Sequence, residues 1–245
     1  MNYTKGYFEN RTVGSRHSAE IIVPIIYSKL KPKSVLDVGC GTGTWLKVWS
    51  ENGTEITGID GKWVDQTLLK IEKKNFLQHD LEQPIDLKRK FNLVTSLEVA
   101  EHIHEDKKDV FLDTLTRHSD VILFSAAIPW QGGTNHFNEQ YLEYWIESFK
   151  VRGYVFLDPF RHLLWRNEEI KSFYKQNIVL FVKEDQLNEV EFFKDEHGHA
   201  KRSLVSVVHP DMFEKVQDPN NKSLKNQLKL LCTLLLRNLR KIITR

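Results

Sequence analysis

The chain has 245 residues, 40% of them hydrophobic and 28% charged, with a formal net charge of +2. That composition excludes a disordered or collagen-like chain, and no uninterrupted apolar run approaches the ~20 residues that a membrane-spanning helix needs. Two cysteines in unrelated contexts, Cys40 and Cys232, exclude a disulfide framework or a cysteine-built metal site.

In chain order, apolar runs alternate with helical patterns. Residues 18–30 read as a helix that stops before Pro32, and 34–39 as a strand running into glycines. Residues 44–53 carry Trp45, Val48 and Trp49 at helical spacing, with Gly53 as the stop. Strands are expected at 55–60, 75–80, 91–99 and 120–128, with an amphipathic helix at 105–118. A helix over 138–153 places Tyr141, Trp145 and Phe149 on one face, and strands at 154–158 and 176–182 close the series. This alternation argues an α/β fold, a Rossmann-like, seven-stranded, mostly parallel sheet with helices on both faces. The texture changes after Val182, so the expected organisation is a domain over 1–183 and a C-terminal extension over 184–245. The opening stretch MNYTKGYFENRTVG has no apolar leader segment, and a cytoplasmic location is expected.

The strongest motif is VLDVGCGTG at 35–43. An apolar strand ends near Asp37, and Gly39, Gly41 and Gly43 alternate before a helix opens at Thr44. Glycines here let the backbone turn tightly and approach a ligand. The pattern is G-x-G-x-G, not the G-x-G-x-x-G of dinucleotide sites. An acid two residues before the first glycine suits a ligand bearing an ammonium group and no pyrophosphate. Asp60 ends the next strand, where a ribose-binding carboxylate belongs in this topology, and Asp80 ends the third, placed to meet a base edge.

VLDVGCGTG, GIDG and HDLEQP together resemble the S-adenosylmethionine site of class I methyltransferases, a likeness that spans about residues 15–182. The resemblance implies that Asp37, Gly39 and Gly41 hold the methionine end of the cofactor. It further implies that Asp60 takes the ribose hydroxyls, that Asp80 and Leu81 flank the adenine, and that Glu98 contacts the donor.

The acceptor side is read from SLEVAEHIHED at 96–106 and from QGGTNHFNEQ at 131–140. With a helix beginning near Glu98, the residues Glu98, Glu101 and His102 share one face at i, i+3 and i+4, and His136 follows the neighbouring strand. Two carboxylates and two imidazoles make a nitrogen–oxygen site for a divalent metal ion, Mg²⁺, Mn²⁺ or Zn²⁺. The E-x-x-E-H run with a later histidine is similar to the metal-binding pattern of small-RNA 2′-O-methyltransferases and ubiquinone-pathway O-methyltransferases. Without a metal, His136, with His102 and Glu101, remains the catalytic candidate: a general base for a hydroxyl, or a hydrogen-bonding group to the acceptor. A bracing role for the cluster is the structural alternative, and His104 is expected as a solvated helix residue.

The string SAAIPWQGGTNHFNEQ resembles methyltransferases associated with bacterial surface-polysaccharide synthesis. That resemblance implies a small-molecule or glycan-precursor substrate: a sugar, nucleotide-linked or phosphoryl-type precursor of a capsule-like polysaccharide, with Trp130, Phe137, Tyr141 and Trp165 as pocket aromatics. RNA 2′-O-methylation, N-methylation of an amino sugar and a non-catalytic donor-binding subunit are the alternatives. Nucleic acid is disfavoured because the catalytic domain is not basic. From Lys222 onward the chain has no acid, and Leu224, Leu228, Leu231, Leu235, Leu239 and Ile242 recur at steps of three and four. This basic amphipathic helix is expected to dock, to dimerise, or to touch the inner face of a membrane peripherally.

Overall fold

The structure, a computed structural model, describes residues 5–200 and 204–217. The basic helix expected from residue 222 lies outside the described residues. Seven strands form one sheet in the order β3-β2-β1-β4-β5-β7-β6. They are β1 (Ser34–Val38), β2 (Glu55–Asp60), β3 (Phe76–Gln78), β4 (Leu93–Leu97), β5 (Val121–Ser125), β6 (Tyr154–Leu157) and β7 (Val179–Lys183). All neighbours pair in parallel except β7, which runs antiparallel to both β5 and β6.

Helices cover both faces, so the central strands are buried apolar runs and not alternating ones. Val35, Leu123 and Leu180 face one core, packed with Ile22 and Ile26 of α1 (Lys5–Leu30) and Trp49 of α2 (Thr44–Glu51). Leu36, Val38 and Phe124 face the other, against Phe111 and Leu115 of α3 (Lys108–His118) and Trp145 and Phe149 of α4 (Leu142–Lys150). Two further short helices, α5 (Arg161–Leu164) and α6 (Ser172–Asn177), precede β7, and α7 (Glu191–Ala200) follows it. The α6 helix takes the first two residues of the stretch expected as strand 176–182.

The chain divides into two compact units, at 1–207 and 208–245, so the first unit runs past the edge expected at 183. The reason is burial beyond β7. Phe193 of α7 belongs to the first core. The buried Arg161 guanidinium pairs with Asp158 at 2.7 Å and donates to the carbonyl oxygens of Leu204 and Val205, both at 2.9 Å. Of the second unit, α8 (Pro210–Gln217) is described.

The order of the sheet reverses between β1 and β4, and in open α/β sheets ligands bind at the carboxyl ends of the strands at such a switch point. Asp37 and Thr95 are paired across that seam, so the loops that follow them leave the sheet side by side.

Removing the charge of one member of a buried ion pair strands the other. Asp158→Asn is therefore expected to lower unfolding stability by about 3–5 kcal/mol, read from urea denaturation. A loss below 1 kcal/mol would show that the Arg161 clamp contributes nothing to closing the unit.

Candidate functional site

The glycine loop is built from backbone conformations that side chains resist. Gly39, Gly41 and Gly43 all have positive φ, of 90°, 54° and 80°. A Cβ on Gly39 would overlap both methyl groups of Val99, whereas one on Gly41 would meet nothing within 4 Å. Gly39 thus serves packing of the β1 loop against the β4 loop, and Gly41 lines open space.

Asp60 secures this loop. Its two carboxylate oxygens accept the amides of Gly41 and Gly61, each at 2.6 Å, and the indole of Trp63 donates to it as well. Asp37 accepts the hydroxyl of Thr95 at 2.8 Å. Both acids are about 5% exposed. Burial pushes Asp37 up to about 7, partly offset by the Thr95 hydroxyl and reinforced by the charge of Asp60. Burial raises Asp60 to about 6, the amides and Trp63 restraining the rise. Asp80 departs from expectation: β3 ends at Gln78, and Asp80 lies beyond it, exposed, its Oδ1 accepting the Glu82 amide at 3.0 Å in a local turn. Leu81 is buried in the second core.

The acceptor side differs from the expected helix. Glu98 sits at φ 57°, and only a single 3₁₀ turn, Ala100–His102, follows it. Glu98 consequently turns away from Glu101 and His102. Its carboxylate accepts from Gln131 Nε2 at 2.6 Å and Asn177 Nδ2 at 3.1 Å, and its amide donates to the Ser125 carbonyl at 3.0 Å. Burial raises the Glu98 carboxyl, with the two amide side chains opposing. The four-residue metal set is therefore corrected to three. Ligand atoms of Glu101, His102 and His136 lie within 4.8 Å of one another.

The loop after β5 completes this trio. The helix expected from 138 begins only at Leu142, because residues 131–141 are committed to loop contacts. The amides of Phe137 and Asn138 both donate to the Glu101 carbonyl, at 2.8 and 3.0 Å. His102 Nδ1 lies 3.0 Å from the Asn135 carbonyl, and His136 Nδ1 lies 2.8 Å from Glu139 Oε1. A carbonyl and a carboxylate can only accept, so each Nδ1 carries a proton, and a ring in its neutral form then has its lone pair on Nε2. His136 Nε2 faces Glu101 Oε1 at 4.0 Å, with Glu101 buried and His136 nearly so. The two rings meet edge to face, centroids 4.8 Å apart. Gly133 packs so closely under the His136 ring that a Cβ there would overlap it. His104, outside the trio, is exposed, bonds Glu82 and stacks on Phe137.

A methyltransferase-domain family matches residues 19–145, just over half of the chain. The chain belongs to that family. Its domain is of the class I, S-adenosylmethionine-dependent type. Ubiquinone biosynthesis O-methyltransferase of Coxiella burnetii is 31% identical over 88 residues, covering 32% of this chain and 36% of that protein. The enzyme of the same name from Pseudomonas paraeruginosa is 28% identical over 117 residues, covering 40% and 50%. The chain thus spans about a third to a half of the length of the curated relatives it matches. Among solved structures, the plantazolicin methyltransferase BpumL, in complex with a pentazolic desmethylPZN analogue and SAH, is 17% identical with a TM-score of 0.52, covering 73% of this chain and 88% of that one. The methyltransferase domain of bacterial CtHen1-C is 18% identical with a TM-score of 0.50, covering 69% and 98%. These two structures share the fold.

Four partners of this methyltransferase site escaped sequence reasoning. Trp63 stands two residues after GIDG, a usable signal. Gln131 and Asn177 are 46 residues apart, yet Asn177 Nδ2 donates to Gln131 Oε1 at 2.9 Å and both donate to Glu98. Glu139 sits three residues after His136, the spacing of a local acid–histidine pair.

The raised Asp37 has a consequence for stability. Its folded pKa of about 7 exceeds the ordinary 3.8, so folding favours the protonated form. The cost of burying its charge is absent below about pH 4, grows as pH rises toward 7 and is complete above it. Asp37→Asn should accordingly raise the melting temperature of the ligand-free domain at pH 8 and change it little near pH 4.5. Equal shifts at both pH values in differential scanning calorimetry would contradict the assignment.

Proposed function

We propose that the protein is an S-adenosylmethionine-dependent O-methyltransferase whose acceptor hydroxyl is received by Glu101, His102 and His136. The observation that carries this reading is the pair of histidines. Both rings have Nδ1 engaged by an acceptor and both border the buried Glu101 carboxylate, and the turn that carries His102 follows the Val99 that packs on the glycine loop. In this reading Asp37, Gly39 and Gly41 hold the amino-acid end of the cofactor, Asp60 the ribose, Asp80 and Leu81 the adenine. Glu98 orders the wall between cofactor and acceptor through its bonds to Gln131 and Asn177.

The bound cofactor supplies an electrophilic methyl group on a sulfonium. Attack by oxygen needs help, because a neutral hydroxyl is a weak nucleophile. His136 accepts the hydroxyl proton at Nε2, and Glu139 across the ring stabilises the resulting imidazolium. The trio also suits a divalent cation: one carboxylate and two imidazoles, each imidazole held through its second nitrogen. When bound there, Mg²⁺, Mn²⁺ or Zn²⁺ would lower the pKa of the hydroxyl. Glu101, His102 and His136 would hold the ion, and Glu98 would take no part.

For the acceptor we infer a sugar or phosphorylated precursor of a cell-surface glycan. Support comes from the side chains around the loop: Trp130 is 78% exposed, and Phe137 and Tyr141 about half exposed, offering flat apolar faces to a ring. A phenolic acceptor is the second reading, favoured by the relatives named for ubiquinone biosynthesis. No helix among the described residues is long and apolar enough to cross a membrane, and membrane contact or dimerisation through the basic tail stays a proposal.

Methyl transfer to a panel of nucleotide-sugars, glycan precursors and phenols, with and without chelator, tests both readings. His136→Ala is expected to lower turnover on the accepted substrate by roughly 10²–10⁴-fold. Gly133→Ala, which pushes the ring aside, should lower it in the same direction, while calorimetric affinity for S-adenosylmethionine stays within twofold in both variants. Full activity in His136→Ala would remove the histidine from the chemistry. Turnover indifferent to chelator and to added Mg²⁺, Mn²⁺ or Zn²⁺ would remove the metal.

A further inference from the structure

Glu139 is more than a neighbour of His136, because one carboxylate serves three donors. Its Oε2 accepts the Trp130 amide at 3.0 Å. Its Oε1 accepts the Gly132 amide at 2.9 Å and the Nδ1–H of His136 at 2.8 Å. The two amides belong to residues at positive φ, 75° for Trp130 and 71° for Gly132, so this carboxylate closes the turn that carries the loop back toward Glu101.

We propose that Glu139 is a positioning residue that fixes the orientation and the tautomer of His136 and ties both to the closed form of the 130–136 turn. The inference rests on the reading of His136 as the acceptor-side group. Its geometry is a three-sided cradle. Gly133 lies under the ring, His102 meets it edge to face, and Glu139 takes Nδ1. A carboxylate has no proton to offer, so Nε2 is left as the lone-pair nitrogen, and Nε2 is the atom turned toward Glu101. Because two of the three bonds come from backbone amides, the carboxylate is in place whether or not the ring is charged.

An internal contrast separates this from an ordinary surface pair. His104 makes the same contact with Glu82 at 2.6 Å, yet its side chain is 53% exposed and its ring stacks on Phe137. The His136 side chain is 8% exposed and lies in the trio. The chemistry of the two pairs is alike, and only one of them aims a nitrogen into the site.

The test uses the full chain labelled with ¹⁵N-histidine, with side-chain ¹H–¹⁵N spectra recorded at mildly alkaline pH and the His136 signals assigned from His136→Ala. The wild type should show the Nδ1–H tautomer at His136. Glu139→Ala should shift that ring toward Nε2–H and leave His104 unchanged, and added acetate should restore the wild-type signal. Glu139→Gln should keep the tautomer: its amide oxygen, turned to Gly132 and His136, preserves two of the three bonds and loses that to Trp130. On whichever acceptor the wild type methylates, kcat should fall in the order wild type, Gln, Ala, by tenfold or more at the last step, with cofactor affinity within twofold. An unchanged tautomer in Glu139→Ala, or a Gln variant as impaired as the Ala variant, overturns the proposal. Absence of methyl transfer by the wild type would count against the proposed function alone, since the tautomer still decides the role of Glu139.

Discussion

The buried carboxylate of Asp60 is the contact on which the donor side depends. It is the last residue of β2, and it reaches across to the β1 loop to accept the Gly41 amide while its other oxygen accepts Gly61. Burying a charged carboxylate costs several kcal/mol unless hydrogen bonds replace the lost water. Here two amides and an indole replace it, and in return three glycine-dependent backbone turns become one fixed surface. That surface sits at the reversal of strand order, where the carboxyl ends of β1 and β4 diverge. Asp37, with the Thr95 hydroxyl alone set against its burial, is the less compensated of the two acids, and the ordering of their pKa values follows.

The acceptor side is organised by a different economy. Glu98, Trp130 and Asn135 all lie at positive φ, a conformation that costs of order 1–3 kcal/mol for a residue with a side chain, though least for asparagine. Such strain persists only where surrounding bonds over-determine it. Glu98 is gripped by Ser125, Gln131 and Asn177. The Trp130 amide is held by Glu139, and the Asn135 carbonyl takes the His102 ring. Glu98 thus joins the β4 loop, the β5 loop and α6, Asn135 joins the two loops, and Trp130 is fixed within the β5 loop. The strain is spent on bringing together three side chains from segments more than thirty residues apart.

Much of the fold was legible because period and length suffice for it. Every strand was anticipated, and the glycine turn at the end of β1 could be read from glycine spacing. The failure at the acceptor side has a definite physical cause. Two carboxylates and a histidine at i, i+3 and i+4 look like a helical face, but a single positive φ at Glu98 breaks that periodicity and turns one member away. Nothing local announces it, since the bonds that stabilise it come from Gln131 and Asn177, far along the chain. The helix expected from 138 failed for a related reason. Phe137 and Asn138 give their amides to the Glu101 carbonyl, which keeps residues 138–141 extended until Leu142. Asp80 was misplaced by two residues because β3 is short and half-exposed, so apolar patterning defines its end poorly.

The double use of the Glu101–His102 turn gives the site its rigidity. Its backbone carbonyl at Glu101 anchors the β5 loop, while its side chains at 101 and 102 face the ring that this loop delivers. A shift of the loop therefore moves His136 and the support of His102 together, because Asn135 and His136 are adjacent. Two histidines from the loops after β4 and β5 are thereby held in a fixed relation to each other. That is the arrangement a proton acceptor or a bound cation requires, since each depends on the spacing of nitrogen lone pairs more than on their absolute position.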